Sequence, residues 1–146
     1  MGHSLGGLIS REMVEEMRLW GKEVPFVVMF DTWYIEPETL NIERVEAFAD
    51  KIFSSLPDKA QRIECASRLA RMLKTHKLCS SATKIYLFKS TEVANKVFHK
   101  IIRSDLTPKM SRSITGNGLD RYSELSIDVW LVNIPQSRFL INVATS

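Results

Sequence analysis

Cysteine is scarce in this sequence, with only Cys65 and Cys79 among its 146 residues. Two cysteines are too few for a disulfide framework, and these two lack the spacing of a metal-binding pair. This scarcity of cysteine argues against a disulfide-stabilised secreted scaffold and against a structural zinc domain. We expect free thiols in a reducing cytoplasm, with Cys65 as a small buried residue.

Long apolar runs and concentrated charge are also missing. No apolar stretch approaches membrane-spanning length, and no export signal is recognisable, so we expect no membrane association and a cytoplasmic location. The 20 basic and 17 acidic residues are interspersed and form no basic stripe. Nucleic acid is therefore not expected as a partner. A composition of 45% hydrophobic and 25% charged residues is that of one ordinary domain, or part of one.

What the sequence does contain is a Gly-x-Ser-x-Gly motif at Gly2, Ser4 and Gly6. In this motif a serine occupies a tight strand-to-helix turn, and the flanking glycines let the backbone pass close enough to expose the hydroxyl. Ser4 is thus a candidate nucleophile. Because the same residues also occur in ordinary loops, the motif requires a strand before it and a helix after it.

A helix and a strand are predicted directly after the motif. Apolar residues recur at three- and four-residue steps over residues 5–20, and Gly21 supplies a helix stop. The expected buried face consists of Leu5, Leu8, Ile9, Met13, Met17 and Trp20. Residues 24–30 form an unbroken apolar run that is typical of a strand covered on both faces, and Asp31 follows it. Functional groups of parallel sheets gather beyond the carboxyl ends of the strands, so Ser4 and Asp31 are expected at one rim.

Together these features resemble the type I thioesterase domains of fatty acid, polyketide and nonribosomal peptide synthases. The resemblance rests on Gly2-His3-Ser4-Leu5-Gly6-Gly7, on Glu12-Met13 in the helix, and on Val27-Val28-Met29-Phe30-Asp31. It implies an α/β-hydrolase in which Ser4 is the acylated nucleophile, Asp31 orients the catalytic histidine and the Leu5 N–H donates to the oxyanion hole. It implies no directly bound cofactor or metal. The substrate would be carried on the phosphopantetheine of an acyl or peptidyl carrier protein, and the partner would be that protein or a parent synthase.

The same resemblance implies an N-terminally truncated domain, because α/β-hydrolases have several strands before the elbow. We expect residues 1–146 to form a single partial α/β-hydrolase domain with a mostly parallel sheet flanked by helices. The chain would be a fragment of a longer gene product or, as the alternative, a truncated paralogue.

Helical periodicity continues over residues 40–56 and 63–74, and residues 84–89 and 127–134 are strand-like. By its position, the stretch 36–80 is predicted to be the helical lid of the family, and plain helix packing is the alternative. Met13, Met17, Met29, Met72 and Trp20 are expected in the core.

A further helix is predicted over residues 92–103, followed by a polar loop. Asn117-Gly118 in that loop resembles an Asn-Gly-Trp segment of the family. Arg68, Arg71, Lys74 and Lys77 could face an acidic carrier protein or simply be solvated.

The position that the resemblance assigns to the catalytic histidine holds Arg138. Arginine keeps its proton at physiological pH and has no acceptor lone pair, so it cannot take the serine proton. His3 is interpreted as the ordinary second residue of the motif and His76 as a surface residue, while His99 lies in a predicted helix. No replacement base is predicted.

The sequence therefore favours a thioesterase-like hydrolase that releases an acyl or peptidyl chain through a serine acyl-enzyme. The first alternative is a catalytically incomplete fragment or pseudo-thioesterase that at most binds an acyl chain or a carrier protein. A lipase or carboxylesterase shares the elbow, but many such enzymes carry their acid one strand later.

Overall fold

The computed structural model describes residues 1–90 and 115–133, and these divide into two compact units. One unit contains residues 1–34, 79–90 and 115–133, and the other contains residues 35–78. The predicted helix over 92–103, His99 and Arg138 lie outside the described residues.

The first unit contains a parallel sheet of four strands in the order β1-β2-β3-β4. The strands are β1 (Gly2–His3), β2 (Phe26–Phe30), β3 (Lys84–Ser90) and β4 (Asp128–Val132). All three pairings between neighbours are parallel. With the helices described below, this confirms the predicted mixed α/β fold with a parallel sheet.

The two central strands bury one face more completely than the other. Val27 and Met29 of β2 and Ile85 and Leu87 of β3 are buried on one face. On the opposite face, rings of neighbouring strands stack in a row of Phe30, Phe88 and Trp130. Phe26 is half exposed on β2, and Val28 and Phe30 are only partly buried, so of the two faces predicted to be covered one is covered only in part.

Helix α1 (Leu5–Leu19) follows Ser4 of the Gly-x-Ser-x-Gly motif as predicted and ends where the sequence placed its stop. Gly21 adopts a left-handed φ of 70°. Its N–H donates to Arg18 O at 2.9 Å, and the Lys22 N–H donates to Met17 O at 3.0 Å. This pair of bonds is the Schellman motif, in which a glycine without a Cβ terminates a helix at little steric cost.

The buried face of α1 agrees only in part with the face predicted from its apolar periodicity, since Leu8 is buried but Ile9, Met13, Met17 and Trp20 are not. The buried residues are Gly7, Leu8, Arg11 and Val14. The exposed residues include Ile9, Met13, Met17 and Trp20, of which Trp20 retains 73% of its surface. Met72 is exposed as well. Of the four methionines and one tryptophan that were expected in the core, only Met29 is fully buried.

Polar partners explain this orientation of α1. Arg11 retains only 1% of its surface, and its guanidinium donates to the carbonyl oxygens of Cys79 and of Tyr122. Glu15 accepts a hydrogen bond from the Ser81 hydroxyl. A charged side chain is tolerated in the interior where it satisfies buried polar groups in this way, so charge alone did not mark the solvent face.

The second unit is helical. A short 3₁₀ helix (Pro37–Thr39) precedes α2 (Ile42–Ile52) and α3 (Lys59–Thr75), and α2 packs against α3. Asn41 is the N-cap of α2, with its side chain accepting a hydrogen bond from the Arg44 N–H at 3.0 Å. The two predicted helices are therefore present. Their role as a lid stays a prediction.

Two surface features of α3 bear on the sequence predictions. Cys65 is exposed, which corrects its expected burial. In the basic series Arg68, Arg71, Lys74 and Lys77, of which Lys77 lies beyond the end of α3, Arg68 pairs with Glu64 at 2.8 Å and Arg71 with Glu46 at 3.5 Å. Carboxylates thus neutralise half of the series.

Candidate active site

Ser4 lies on the turn between β1 and α1, where the motif predicted it. Its backbone has φ 52° and ψ −123°, a combination that side-chain-bearing residues rarely adopt. The Ser4 N–H donates to Phe30 O at 2.9 Å, and the Ser4 carbonyl accepts from the Gly7 N–H at 3.0 Å. These bonds hold an exposed side chain on a strained backbone, as nucleophile elbows do.

Gly2 accounts for the first glycine of the motif. A Cβ at this position would overlap the carbonyl group of Gly6. The turn at Ser4 folds the chain so sharply that the backbones two residues before and after the serine touch. A side chain at Gly2 would push these segments apart and open the turn.

Leu5 is the first residue of α1. The first N–H groups of a helix have no acceptor within the helix, and together with the helix dipole they favour negative charge. The Leu5 N–H therefore has the location expected of an oxyanion-hole donor.

Asp31 directly follows β2 and is buried, with 6% of its surface exposed. Its backbone has a left-handed φ of 44°, which turns the chain out of the strand. Its N–H donates to Phe88 O at 2.7 Å, so the ladder between β2 and β3 still anchors the residue.

One register position runs across the sheet through His3, Phe30, Phe88 and Trp130, and its first three residues concern the site. The next residues along the chain are Ser4, Asp31 and Lys89 respectively. Neighbouring strands are spaced by about 5 Å, so the Cα atoms of Ser4 and Asp31 are separated by roughly one strand spacing. The structure thus brings the predicted nucleophile and the predicted acid together at one rim.

Lys89 was not among the site residues predicted from the sequence. It lies on β3 with only 5% of its surface exposed, and its Nζ is 5.1 Å from the centre of the Trp33 ring. Burial lowers the pKa of Lys89, and the carboxylates of Asp31 and Asp120 act in the opposite direction. The sequence of β3 could have revealed Lys89. Side chains of a strand alternate between its two faces, so Lys89 lies on the same face as the core residues Ile85 and Leu87.

A loop around Asn117 holds the segment that follows Asp31. The Asn117 side-chain amide donates to Thr32 O at 3.0 Å, and the backbone carbonyl of Asn117 accepts from the Tyr34 N–H at 3.0 Å. Asn117 is fully buried at a left-handed φ of 54°. Asparagine tolerates this conformation better than most residues, which gives the Asn-Gly pair noted in the sequence a structural role.

No protein-family model matches the chain, and no curated protein matches it. The geometry of the rim is therefore the basis for any functional conclusion.

The remaining candidate residues occupy other environments. His3 is half-buried in β1, and His76 caps the C-terminus of α3 in the helical unit. Asp128 is the first residue of β4 and pairs with Lys84 at 2.8 Å, while the exposed Asp120 begins a 3₁₀ helix.

Within residues 1–90 and 115–133, no cluster of three or more histidine, cysteine or acidic residues could hold a metal ion. Over the same ranges, none of the helices combines the length and apolar character needed to cross a bilayer.

Proposed function

We propose that this chain is a serine acyl hydrolase of the α/β-hydrolase type, similar to the thioesterase domains that release chains from carrier proteins. The observation that carries the proposal is the backbone of Ser4, whose φ of 52° and ψ of −123° place a serine between a strand and a helix. Such a conformation costs about 1–3 kcal/mol and commonly persists where function requires it.

In the proposed reaction the Ser4 hydroxyl oxygen attacks the carbonyl carbon of a carrier-bound thioester while its proton passes to a general base. The position that the resemblance assigns to this base holds Arg138, so another group of the protein must accept the proton. The Leu5 N–H stabilises the oxyanion of the tetrahedral intermediate. The carbon–sulfur bond then breaks, and the phosphopantetheine thiol leaves with a proton. Water or a nucleophile within the chain cleaves the acyl-serine ester. Asp31 orients the base, and residues 36–80 form a lid over the acyl chain.

Arg138 favours a second candidate function. It occupies the sequence position that the resemblance assigns to the catalytic base, and a guanidinium cannot accept the serine proton. A chain without another base would be a pseudo-thioesterase that binds an acyl chain or a carrier protein. The two candidates differ in whether Ser4 becomes acylated.

A fluorophosphonate probe distinguishes them, because it reacts covalently with activated serines. We expect slow labelling of the 146-residue chain that Ser4→Ala abolishes and Arg138→His accelerates. Ser10→Ala, in α1, is the matched control and should leave labelling unchanged. Equal labelling of the Ser4→Ala variant would refute the proposed nucleophile.

Complete absence of labelling, including in the Arg138→His variant, would favour the binding function. For a chain that is labelled, turnover of an acyl-pantetheine thioester in preference to an oxygen ester of the same acyl group would support a thioesterase over a lipase or carboxylesterase.

A further inference from the structure

Lys89 is a buried cation at the rim that the proposed reaction does not use. Phe30 on β2 and Phe88 on β3 are register partners. Asp31 directly follows Phe30, and Lys89 directly follows Phe88. The N–H of Asp31 donates to Phe88 O at 2.7 Å, so the backbones of these two segments are still bonded where the charged residues begin. Both side chains are buried, with 5% and 6% of their surfaces exposed.

Charges buried in this way require compensation, because an isolated ion loses its hydration without a substitute. Within residues 1–90 and 115–133, the groups that act on the Lys89 ammonium include the carboxylates of Asp31 and Asp120 and the ring of Trp33. Of the two carboxylates, Asp31 has the larger electrostatic effect on Lys89. An ammonium within about 6 Å of an indole ring is also attracted to the face of that ring.

We propose that Lys89 is a positioning residue of this site, whose ammonium group is a charge partner of Asp31 and holds that carboxylate at the rim beside Ser4. The inference rests on the proposed function for its catalytic consequence, but the charge pair itself does not. Asp31 has left the strand at a positive φ, so its side chain depends on its neighbours for its orientation. Lys89, fixed on β3, supplies one such neighbour.

The charge pair is tested first by NMR titration of the Lys89 side chain in the full chain. Asp31→Asn should lower the pKa of Lys89, because a carboxylate that favours the ammonium form is removed. Asp120→Asn should lower it less. Asp128→Asn is the matched control, since Asp128 pairs with Lys84 instead, and should leave the Lys89 titration unchanged. An unchanged Lys89 titration in the Asp31→Asn variant would overturn the pair.

The positioning role is tested by the rate of fluorophosphonate labelling at Ser4. In the Arg138→His background, which supplies a base for Asp31 to orient, Lys89→Met removes the charge at similar length and should slow labelling severalfold, whereas Lys84→Met on the same strand should not. If Lys89 acts through Asp31, Lys89→Met should have no further effect in an Asp31→Asn background. Independent, additive effects would refute action through Asp31, as would unchanged labelling in Lys89→Met.

The two tests separate the two proposals. A chain that shows the Asp31-dependent titration but no labelling at Ser4 would retain the charge pair and lose both the positioning role and the proposed hydrolase function. A chain that is labelled at Ser4 without that titration would keep the proposed function and lose the inference about Lys89.

Discussion

Because the backbone of Ser4 is strained, we expect the Ser4→Gly variant to be more stable than the Ser4→Ala variant. Serine at φ 52° and ψ −123° places its Cβ against its own backbone, and glycine removes that contact. Ser4→Ala keeps a Cβ and therefore keeps the strain. The comparison of Ser4→Gly with Ser4→Ala isolates the backbone contribution, because both variants lack the hydroxyl.

The expected magnitude follows from two opposing contributions. Relief of the strain contributes about 1–3 kcal/mol. The greater flexibility of glycine in the unfolded chain costs about 0.5–1 kcal/mol. Ser4→Gly should therefore exceed Ser4→Ala in free energy of unfolding by about 1 kcal/mol. For a chain of this length that difference corresponds to a rise in Tm of about 3 °C.

Urea unfolding of both variants, monitored by circular dichroism, provides the measurement. The midpoint should rise in Ser4→Gly with an unchanged m-value, which indicates a change in stability without a change in the surface exposed on unfolding. Ser10→Gly and Ser10→Ala are the control pair: Ser10 lies inside α1, so glycine there should be less stable than alanine by about 0.5–1 kcal/mol. If the Ser4→Gly variant is no more stable than the Ser4→Ala variant, the conclusion that the backbone of Ser4 is strained is refuted.

Three further predictions concern the framework of the site. Arg11→Leu should lower the free energy of unfolding by about 3 kcal/mol, because it leaves two carbonyl oxygens without their charged donor; the exposed Arg68→Leu should cost under about 1 kcal/mol in the same urea assay. Asn117→Ala should lower the free energy of unfolding by about 1–3 kcal/mol, because the hydrogen bond to Thr32 O is lost. Asn117→Gly loses the same bond but should lower it less, because glycine adopts the left-handed φ easily. If α2 and α3 form a lid, their amides should exchange hydrogen faster than those of β2 and β3, and equal protection would count against a lid.

Local sequence patterns were sufficient for the elements around the site. The period of α1 and its glycine stop fixed both ends of that helix within a residue, because the hydrogen bonds that define a helix join residues close in sequence. The apolar run before Asp31 and the strand-like stretch over residues 84–89 identified two strands that are central in the sheet. The Gly-x-Ser-x-Gly spacing placed Ser4 at the turn, because only glycine at residue 2 permits the backbone contact with Gly6.

Tertiary structure alone decided which side of α1 is buried and what surrounds Asp31. Apolar periodicity favoured the side with Met13, but Arg11 is buried because carbonyl oxygens distant in sequence accept its hydrogen bonds. In the same way, Asp31 and Lys89 are 58 positions apart in sequence and become neighbours only through the pairing of β2 with β3. A period along one element reports distances within that element, whereas the partner that stabilises a buried charge is supplied by another part of the chain.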